Sequence, residues 1–486
     1  MLSWSRSSRA AAAVVALVGG AILAAVVTIA IKTRPPRQVV VGETPPGYYV
    51  RRARATVRLP SIAPGSAGMS SSRLADIQVI VERGIKDGGY PGAAVVIGRD
   101  GGEVLSSGFG HTSWAPNASP VNPDSTIYDL ASLTKVVATT SAIMLLYDDG
   151  VLHLDDKVVR WIPTFTGGFK DSVTIRQLLT HRSGLPPGRE LWRHMGDPAR
   201  ARAAVISTPL VKGCAPGSCY MYSDLGADVL GFIAEAASGE RLDDFTERRI
   251  FDPLGMTSTS FTVPPGDLRY LAPTGAPRGR VHDSNAAALG GVSGHAGVFS
   301  TSSDLAVFAQ MLLDGGEYEG IRIFQPSTVK LFTTRAAGTR GLGWDTCDSA
   351  NVRATCGRYL SARAFGHTGF TGTSMWVDPD RRMFMILLTN RVDDPRVRRP
   401  ALVIHDIRAD VADAAVLAVV DADAGAPVVA PQFRSASPQR WQEPESKRRA
   451  KKGRSATRRE RKRSRILAKP KHRKGQKSST HQLTTH

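Results

Sequence analysis

The chain has 486 residues, a formal net charge of +20 and 42% apolar side chains. A usual single domain has roughly 100–200 residues, so we expect one large catalytic or binding unit with appended segments. The positive charge lies at the ends, since residues 446–477 carry 17 Lys or Arg against one acid and the first 58 residues carry nine against one. The middle of the chain is slightly acidic, which argues against nucleic acid as a partner of the main unit.

An uncharged stretch of 22 residues lies near the N-terminus, at 10–31. As a helix it would span roughly 33 Å, enough to cross a bilayer. We therefore predict a polar segment at 1–9, a transmembrane signal anchor at 10–31 and a linker rich in Pro, Gly, Ser and Arg at 32–72. A cleaved signal peptide is the alternative, although its apolar region is usually only about 7–15 residues long. The basic residues that follow the stretch oppose export by the positive-inside rule.

The four cysteines form two close pairs, Cys214 with Cys219 and Cys347 with Cys356. A loop or hairpin could bring the members of each pair together. An even, locally paired set indicates disulfides and an oxidising compartment. Four independent buried thiols are the alternative. Because the sequence has no Cys-x-x-Cys pair, we expect no zinc site.

The secondary-structure pattern begins with a helix between Leu74 and Ile85, where apolar residues recur at helical spacing. Residues 93–97 predict a buried strand with a hairpin partner at 104–105, and 374–377 and 383–389 predict two more strands after a long helical middle. A last helix is predicted from Val397 to Val420. Strands at both ends of the chain with helices between them indicate an α+β fold with an inserted, mainly helical region.

The predicted domain spans 73–420, and 421–486 is predicted to be a disordered basic tail because its Ala/Pro/Gly and then Lys/Arg composition cannot support a core. Anionic lipid or a wall polymer is a possible partner of this tail, and nucleic acid is a less favoured one. A solvated tail with no partner is the simplest alternative.

The first chemical motif is Ser132–Lys135, read as Ser-Leu-Thr-Lys, at the start of the apolar helical stretch 136–147. Lys135 lies three residues after Ser132 on the same helix face, so its amine can reach the hydroxyl. Burial would lower the pKa of the lysine toward neutrality, and the helix dipole would favour an alkoxide. Alone the motif is weak, because a match is expected by chance in a chain of this length and a decoy stands at Ser327–Lys330.

Two later elements separate Ser132 from the decoy. Tyr222-Ser223-Asp224 stands on the loop before a helix, and His367 in Gly-His-Thr-Gly-Phe precedes the last strand pair, which puts it beside an edge strand. Singly, Tyr222 could be a loop tyrosine and His367 a surface histidine.

Two other histidines, His295 and His181, are also candidates for the site. His295 in His-Ala-Gly leads into the helical stretch 304–313 instead of a strand pair, so we assign it to the site wall or to packing. His181 lies in a turn, and we predict a structural role for it.

Taken in order, these elements resemble the serine β-lactamase and penicillin-binding-protein superfamily, in particular its class C β-lactamase, DD-peptidase and esterase branch. The family motifs Ser-x-x-Lys, Tyr-x-Asn and Lys-Thr-Gly are matched by 132–135, 222–224 and 367–369, and the resemblance covers about Leu74 to Val411. It implies an antiparallel sheet flanked by N- and C-terminal helices. It also implies an acyl-enzyme mechanism with no metal and no cofactor.

The site residues that the resemblance implies are the catalytic Ser132, Lys135 and Tyr222, the oxyanion-hole N–H groups of Ser132 and Phe370, and the substrate-binding Asp224, His367, Thr368 and Gly369.

Two departures from the family motifs bear on function, because Asp224 replaces the usual Asn and His367 the usual Lys. A histidine is only partly charged near neutral pH, which weakens the case for a dedicated β-lactamase. We therefore expect a membrane-anchored serine hydrolase of peptides, amides or esters, of the D-alanyl peptidase or esterase type, in the bacterial cell membrane with its domain outside the cytoplasm, or secreted if a signal is cleaved. The alternative is a slow penicillin-binding sensor or scaffold of the cell envelope.

Overall fold

A computed structural model describes residues 56–348, 354–420 and 432–442. The predicted anchor at 10–31 and the basic residues beyond 442 lie outside this range. In the described residues, no helix is both long and apolar enough to span a membrane.

The strands in the described residues are β1 (Gly92–Arg99), β2 (Gly102–Gly110), β3 (Tyr128–Asp129), β4 (Phe299–Ser300), β5 (Glu317–Tyr318), β6 (Ile321–Arg322), β7 (Asp345–Thr346), β8 (Phe365–Thr368), β9 (Ser374–Asp378) and β10 (Met383–Thr389). Six of them form one antiparallel sheet in the order β2-β1-β10-β9-β8-β7, while β3 pairs with β4 and β5 with β6. The prediction of one sheet built from distant segments is confirmed.

The helices are α1 (Ser71–Lys86), α2 (Ser141–Asp148), α3 (Ile175–Leu179), α4 (Pro198–Ser207), α5 (Asp224–Ser238), α6 (Leu242–Thr246), α7 (Ser284–Ala288), α8 (Ser302–Leu313), α9 (Pro326–Thr333), α10 (Pro400–Ala418) and α11 (Gln439–Gln442). The N-terminal α1 and the C-terminal α10 pack together on one face of the sheet, and the inserted helices cover the other. The predicted α+β arrangement is confirmed.

Both faces of the sheet are buried, which explains the unbroken apolar runs of its central strands. In β10, Met385 and Leu387 face α1 and α10, whereas Ile386 and Leu388 face the inserted helices. Successive side chains of a strand point to opposite faces, so a run that is apolar at every position supplies both cores. The site described below lies on the side of the inserted helices.

Buried residues are also found beyond both ends of the predicted domain, 73–420. Leu59 and Met69 are buried in the segment assigned to the linker, and Trp441 is fully buried in the segment assigned to the tail. Asp406 on α10 accepts a hydrogen bond of 2.7 Å from the indole N–H of Trp441. These segments carry few apolar residues and no period, so their burial is not visible in the sequence.

Both predicted disulfides are present, Cys214–Cys219 and Cys347–Cys356. The first lies in the loop that leads to Tyr222, and the second is buried beside α10. The alternative of four free thiols is therefore wrong.

Candidate active site

Ser132 follows a strained turn at the end of β3. Ala131 has a φ of 48°, a left-handed conformation that costs a non-glycine residue about 1–3 kcal/mol. The carboxylate of Asp129 holds the turn by accepting a 2.8 Å hydrogen bond from the N–H of Ala131. A short 3₁₀ turn and a wide π turn, Lys135–Thr140, then lead into α2. Such wide turns often mark functional sites, and here they leave Ser132 half-buried at the surface of the core.

The ammonium of Lys135 has three N–H donors, and each reaches an oxygen. Nζ donates to Ser132 Oγ at 2.8 Å, to Asp224 Oδ1 at 2.8 Å and to the carbonyl oxygen of His295 at 3.2 Å. The side chain is only 4% exposed. The predicted contact between Lys135 and Ser132 is present in the structure.

The expected lowering of the Lys135 pKa is wrong. Burial acts in that direction, but Tyr222 and Asp224 act against it more strongly, and the pKa is raised above its ordinary value. The same ion pair contributes to the lowered pKa of Asp224, which burial alone would raise. The exchange at position 224 contributes to this direction together with Tyr222, since a carboxylate adds a charge where asparagine has none. Lys135 is therefore a cation in the resting site.

The second motif is held by its middle residue. Ser223 is the N-cap of α5, where its Oγ accepts a 3.1 Å hydrogen bond from the N–H of Gly226 and donates one of 2.6 Å to the carbonyl of Pro186. N-cap serines satisfy helix N–H groups that otherwise lack a partner. Asp224 is thus the first residue of α5, and Tyr222 lies in the loop, immediately before the Ser223 cap.

His181, for which the sequence predicts a structural role, contacts this loop at Ser223 and Tyr222. Its Nδ1 accepts a 3.1 Å hydrogen bond from the N–H of Ser223, and its ring centroid lies 4.5 Å from that of Tyr222. Burial, and then the cations Arg340 and Lys135, lower the pKa of His181 well below its ordinary value. A neutral imidazole is the form that can accept from the Ser223 N–H.

His367 lies on β8, just past the last residues that pair with β7. Its side chain is buried, and burial is the main cause that lowers its pKa to about 4. Asp345 raises this pKa in part, whereas Arg340 and Lys135 lower it further. His367 is therefore neutral at physiological pH, whereas the sequence alone predicts a partly charged histidine. It offers no charge to a substrate carboxylate.

Gly369 is required by a close approach of two backbones. A Cβ at this position would lie 2.3 Å from the carbonyl oxygen of Leu130, far inside van der Waals contact. Thr373 Oγ1 also donates to that carbonyl at 2.9 Å, and Thr371 Oγ1 donates to the carbonyl of Asp129 at 2.7 Å. The loop after β8, which carries Phe370, is thereby fixed against the turn that precedes Ser132.

Phe370 lies at the mouth of the site with its side chain largely on the surface. It is 63% exposed and stacks on the ring of His282 with a centroid distance of 6.0 Å. The backbone N–H of His282 donates to Asp129 Oδ2 at 2.7 Å. The same carboxylate therefore organises the strained turn and the wall that Phe370 rests on.

Sequence reasoning missed a buried set of charges behind Asp224. His295 Nδ1 lies 2.7 Å from Asp228 Oδ1, and its Nε2 lies 3.2 Å from Asp283 Oδ1. Burial opposes protonation of His295, but Asp228 and Asp283 outweigh it and raise the pKa well above its ordinary value. The sequence assigns His295 to the site wall or to packing, and the structure adds that its buried ring contacts two carboxylates. Asp228 stands one helical turn after Asp224 on an otherwise apolar face, and that spacing was the available signal.

Arg340 is a second residue that the sequence did not indicate. Its guanidinium lies 5.3 Å from the centroid of the Tyr222 ring, donates to the hydroxyl of Tyr220 at 3.2 Å and pairs with Asp345 at 2.8 Å. It brings a buried positive charge beside Tyr222 and His367. By contrast, the decoy residues Ser327 and Lys330 are exposed on α9.

A model of the Beta-lactamase family matches residues 77–409. A protein of Escherichia coli (strain K12) named "Putative D-alanyl-D-alanine carboxypeptidase" is 33% identical over 378 residues, which cover 69% of this chain and 86% of that protein. A protein of the same name from Salmonella schwarzengrund (strain CVM19633) is 32% identical and covers 69% of this chain and 87% of its own length.

Solved structures share the fold. A penicillin-binding protein homologue from Caulobacter crescentus is 23% identical, with a TM-score of 0.55 and coverage of 66% of this chain and 93% of its own. A class C beta lactamase is 19% identical, with a TM-score of 0.56 and coverage of 69% and 97%. Unliganded simvastatin synthase from Aspergillus terreus is 21% identical, with a TM-score of 0.57 and coverage of 71% and 98%.

Proposed function

Because this chain belongs to the beta-lactamase family of serine hydrolases, we propose that it removes a C-terminal D-alanine from peptides through an acyl-enzyme on Ser132. The observation that carries the proposal is the three-way contact of Lys135 with Ser132, Asp224 and the His295 carbonyl. It joins the first two motifs in one buried site.

In the proposed acylation, Tyr222 reacts as a phenolate beside the Lys135 ammonium, whose Nζ lies 5.0 Å from the centroid of its ring. Ser132 Oγ attacks the carbonyl carbon of the scissile amide, and its proton passes to the phenolate oxygen of Tyr222. Lys135 remains an ammonium throughout and stabilises the negative charge that moves from Ser132 to the substrate oxygen. When the C–N bond breaks, Tyr222 returns the proton to the departing D-alanine nitrogen. Water then attacks the ester, gives a proton to Tyr222, and Ser132 recovers its own proton as the ester bond breaks.

The backbone N–H groups of Ser132 and Phe370 form the proposed oxyanion hole. The contacts of Thr371, Thr373 and Gly369 with residues 129–130 support this role, because they fix the two loops against each other. One such donor contributes about 3 kcal/mol to the transition state in serine hydrolases.

A peptide substrate fits the open part of β8. Since β7 pairs only with Phe365 and Gly366, an extended peptide can lie beside His367 and Thr368 and add backbone hydrogen bonds to the sheet. With His367 neutral, the substrate carboxylate depends on the Thr368 hydroxyl and on the cations Lys135 and Arg340. The names of the relatives support a D-alanyl peptide as substrate.

The test is an assay of the full-length protein with a D-Ala-D-Ala peptide, nitrocefin and short-chain esters, each with wild type and Ser132→Ala. We expect release of D-alanine by the wild type and its loss in Ser132→Ala. Release that is unchanged in Ser132→Ala would contradict the proposal. A stoichiometric burst without turnover would favour the sensor or scaffold instead.

We also propose that residues 10–31 anchor the chain in the cell membrane with the domain outside the cytoplasm. The two disulfides support an oxidising location. Fractionation of cells that express the full chain, with thiol labelling, tests this placement; soluble protein with free thiols would contradict it. We propose in addition that the basic tail contacts anionic lipid. Salt-dependent co-sedimentation of the full chain and of a 1–442 truncation with anionic vesicles tests this contact. Equal binding of the two proteins would show that the tail does not bind the lipid.

A further inference from the structure

Arg408 of α10 is a buried cation beside the oxyanion loop. It is 8% exposed, and its guanidinium donates to the carbonyl oxygens of Gly369 and Thr373. Among the described residues no carboxylate is found to pair with it, and its Nε has no hydrogen-bond partner. A buried charge without a counter-ion costs free energy. The two carbonyl groups that Arg408 contacts therefore bear directly on its role.

The carbonyl of Gly369 and the N–H of Phe370 belong to one peptide group. A cation bound to the carbonyl oxygen draws electrons through the amide resonance and makes the N–H a stronger donor. Charge-assisted hydrogen bonds of this kind exceed neutral ones in strength. The N–H concerned is the one proposed to bind the substrate oxyanion.

The guanidinium of Arg408 also links the two ends of the turn from Gly369 to Thr373. The N–H of Gly369 donates to the Thr373 carbonyl at 2.8 Å, and Arg408 binds the carbonyls at both ends of this turn. On the outer side, the guanidinium of Arg391 lies 4.5 Å from the centroid of the Phe370 ring, and the backbone N–H of Arg391 donates to the Thr371 carbonyl. Burial, with the nearby Arg391, lowers the pKa of Arg408 to about 9, which leaves it charged at neutral pH.

We propose that Arg408 is a positioning residue of the oxyanion hole, whose charge polarises the Gly369–Phe370 peptide and strengthens the Phe370 N–H toward the substrate oxyanion. The inference rests on the proposed acyl-enzyme.

The test compares full-length wild type, Arg408→Gln, Arg408→Lys and a matched control, Arg434→Gln. Arg434 is also a buried arginine near α10 that binds a backbone carbonyl, that of Ala354, but it lies on the far face of the sheet. Each protein is mixed with an ester labelled with ¹³C at its carbonyl. The acylation rate, KM and the infrared stretch of the acyl-enzyme carbonyl are then measured.

We expect Arg408→Gln to acylate at least about tenfold more slowly with little change in KM, a fraction of the roughly 100-fold or larger loss from deleting an oxyanion donor. Its acyl carbonyl band should move to higher wavenumber. Arg408→Lys keeps the charge and should retain most of the rate and the band position. Arg434→Gln should lower thermal stability only.

A wild-type rate and band in Arg408→Gln, or equal losses in Arg408→Gln and Arg408→Lys, would overturn the inference, since the charge would then have no role. If the wild type shows no acyl band at all, the proposed acyl-enzyme fails and the inference falls with it. Both outcomes are distinguishable in the same experiment.

If Arg408→Gln does not fold, the wild type still provides a test. Labelling glycine with ¹³C-carbonyl and phenylalanine with ¹⁵N gives one amide signal per Gly-Phe pair, and the chain has four such pairs, 108–109, 168–169, 231–232 and 369–370. The Phe370 N–H should lie at the lowest field of the four. An ordinary shift would overturn the inference.

Discussion

At the scale of single residues, two exchanges separate this site from the pattern it resembles, and the one at position 224 adds a charge beside Lys135. Asp224 stands where the family motif has asparagine, and it pairs with Lys135 at 2.8 Å. The sequence could predict both residues and their order, because motif spacing is local. It could not predict the protonation of Lys135, which depends on distances among segments 89 residues apart.

Replacing Asp224 by Asn should lower the pKa of Lys135, because it removes one of the two groups, Tyr222 and Asp224, that raise this pKa against the effect of burial. The mechanism needs the ammonium, so the alkaline limb of kcat/KM should move to lower pH by about one unit or more, equivalent to about 1.4 kcal/mol. A pH series of ester hydrolysis measures this. An unmoved alkaline limb would mean that Asp224 is not the counter-ion.

At the scale of elements, strands and long helices were predictable because their apolar periods of 2 and 3.6 are visible in the sequence. The backbone conformations that position Ser132 and Lys135 were not predictable. The left-handed Ala131 and the π turn after Lys135 are imposed by tertiary contacts, among them Asp129, and no local pattern encodes them. The cap of α5 is an exception, since Ser223 stands at the usual N-cap position.

Ser223→Ala should cost about 1 kcal/mol of stability by loss of the cap of α5. It should also lower kcat/KM about tenfold or more, since small misplacements of catalytic groups are expensive and the flanking Tyr222 and Asp224 would move. Ser70→Ala at the N-cap of α1 is the control, because Ser70 caps a helix on the other side of the sheet. Equal effects of the two changes on kcat/KM would contradict the positioning role.

At the scale of the whole molecule, two segments outside the predicted domain complete its packing. Residues 432–442 lie along α10, where the carboxylate of Asp410 accepts from the N–H groups of Arg434 and Ser435 and that of Asp406 accepts from Trp441. Asp406 and Asp410 stand four residues apart on a mainly apolar helix, and buried carboxylates need hydrogen-bond donors. The sequence does not indicate which segment supplies these donors.

Trp441→Ala should destabilise the protein by about 3–5 kcal/mol, because it leaves a cavity and removes one hydrogen-bond donor from the buried carboxylate of Asp406. Activity well below the melting temperature should be unchanged, since Trp441 packs on the face opposite Ser132. Thermal unfolding compares it with Trp192→Ala, a change at a half-exposed tryptophan. If both variants melt with the wild type, residues 432–442 do not contribute to the fold.

The central claim, that Ser132 is the nucleophile, is tested most directly by rapid-quench mass spectrometry of the full-length protein with benzylpenicillin. We expect an adduct with the mass of the whole β-lactam on a peptide that contains Ser132, present in Ser327→Ala and absent in Ser132→Ala. An adduct that persists in Ser132→Ala, or that maps to another residue, would contradict it.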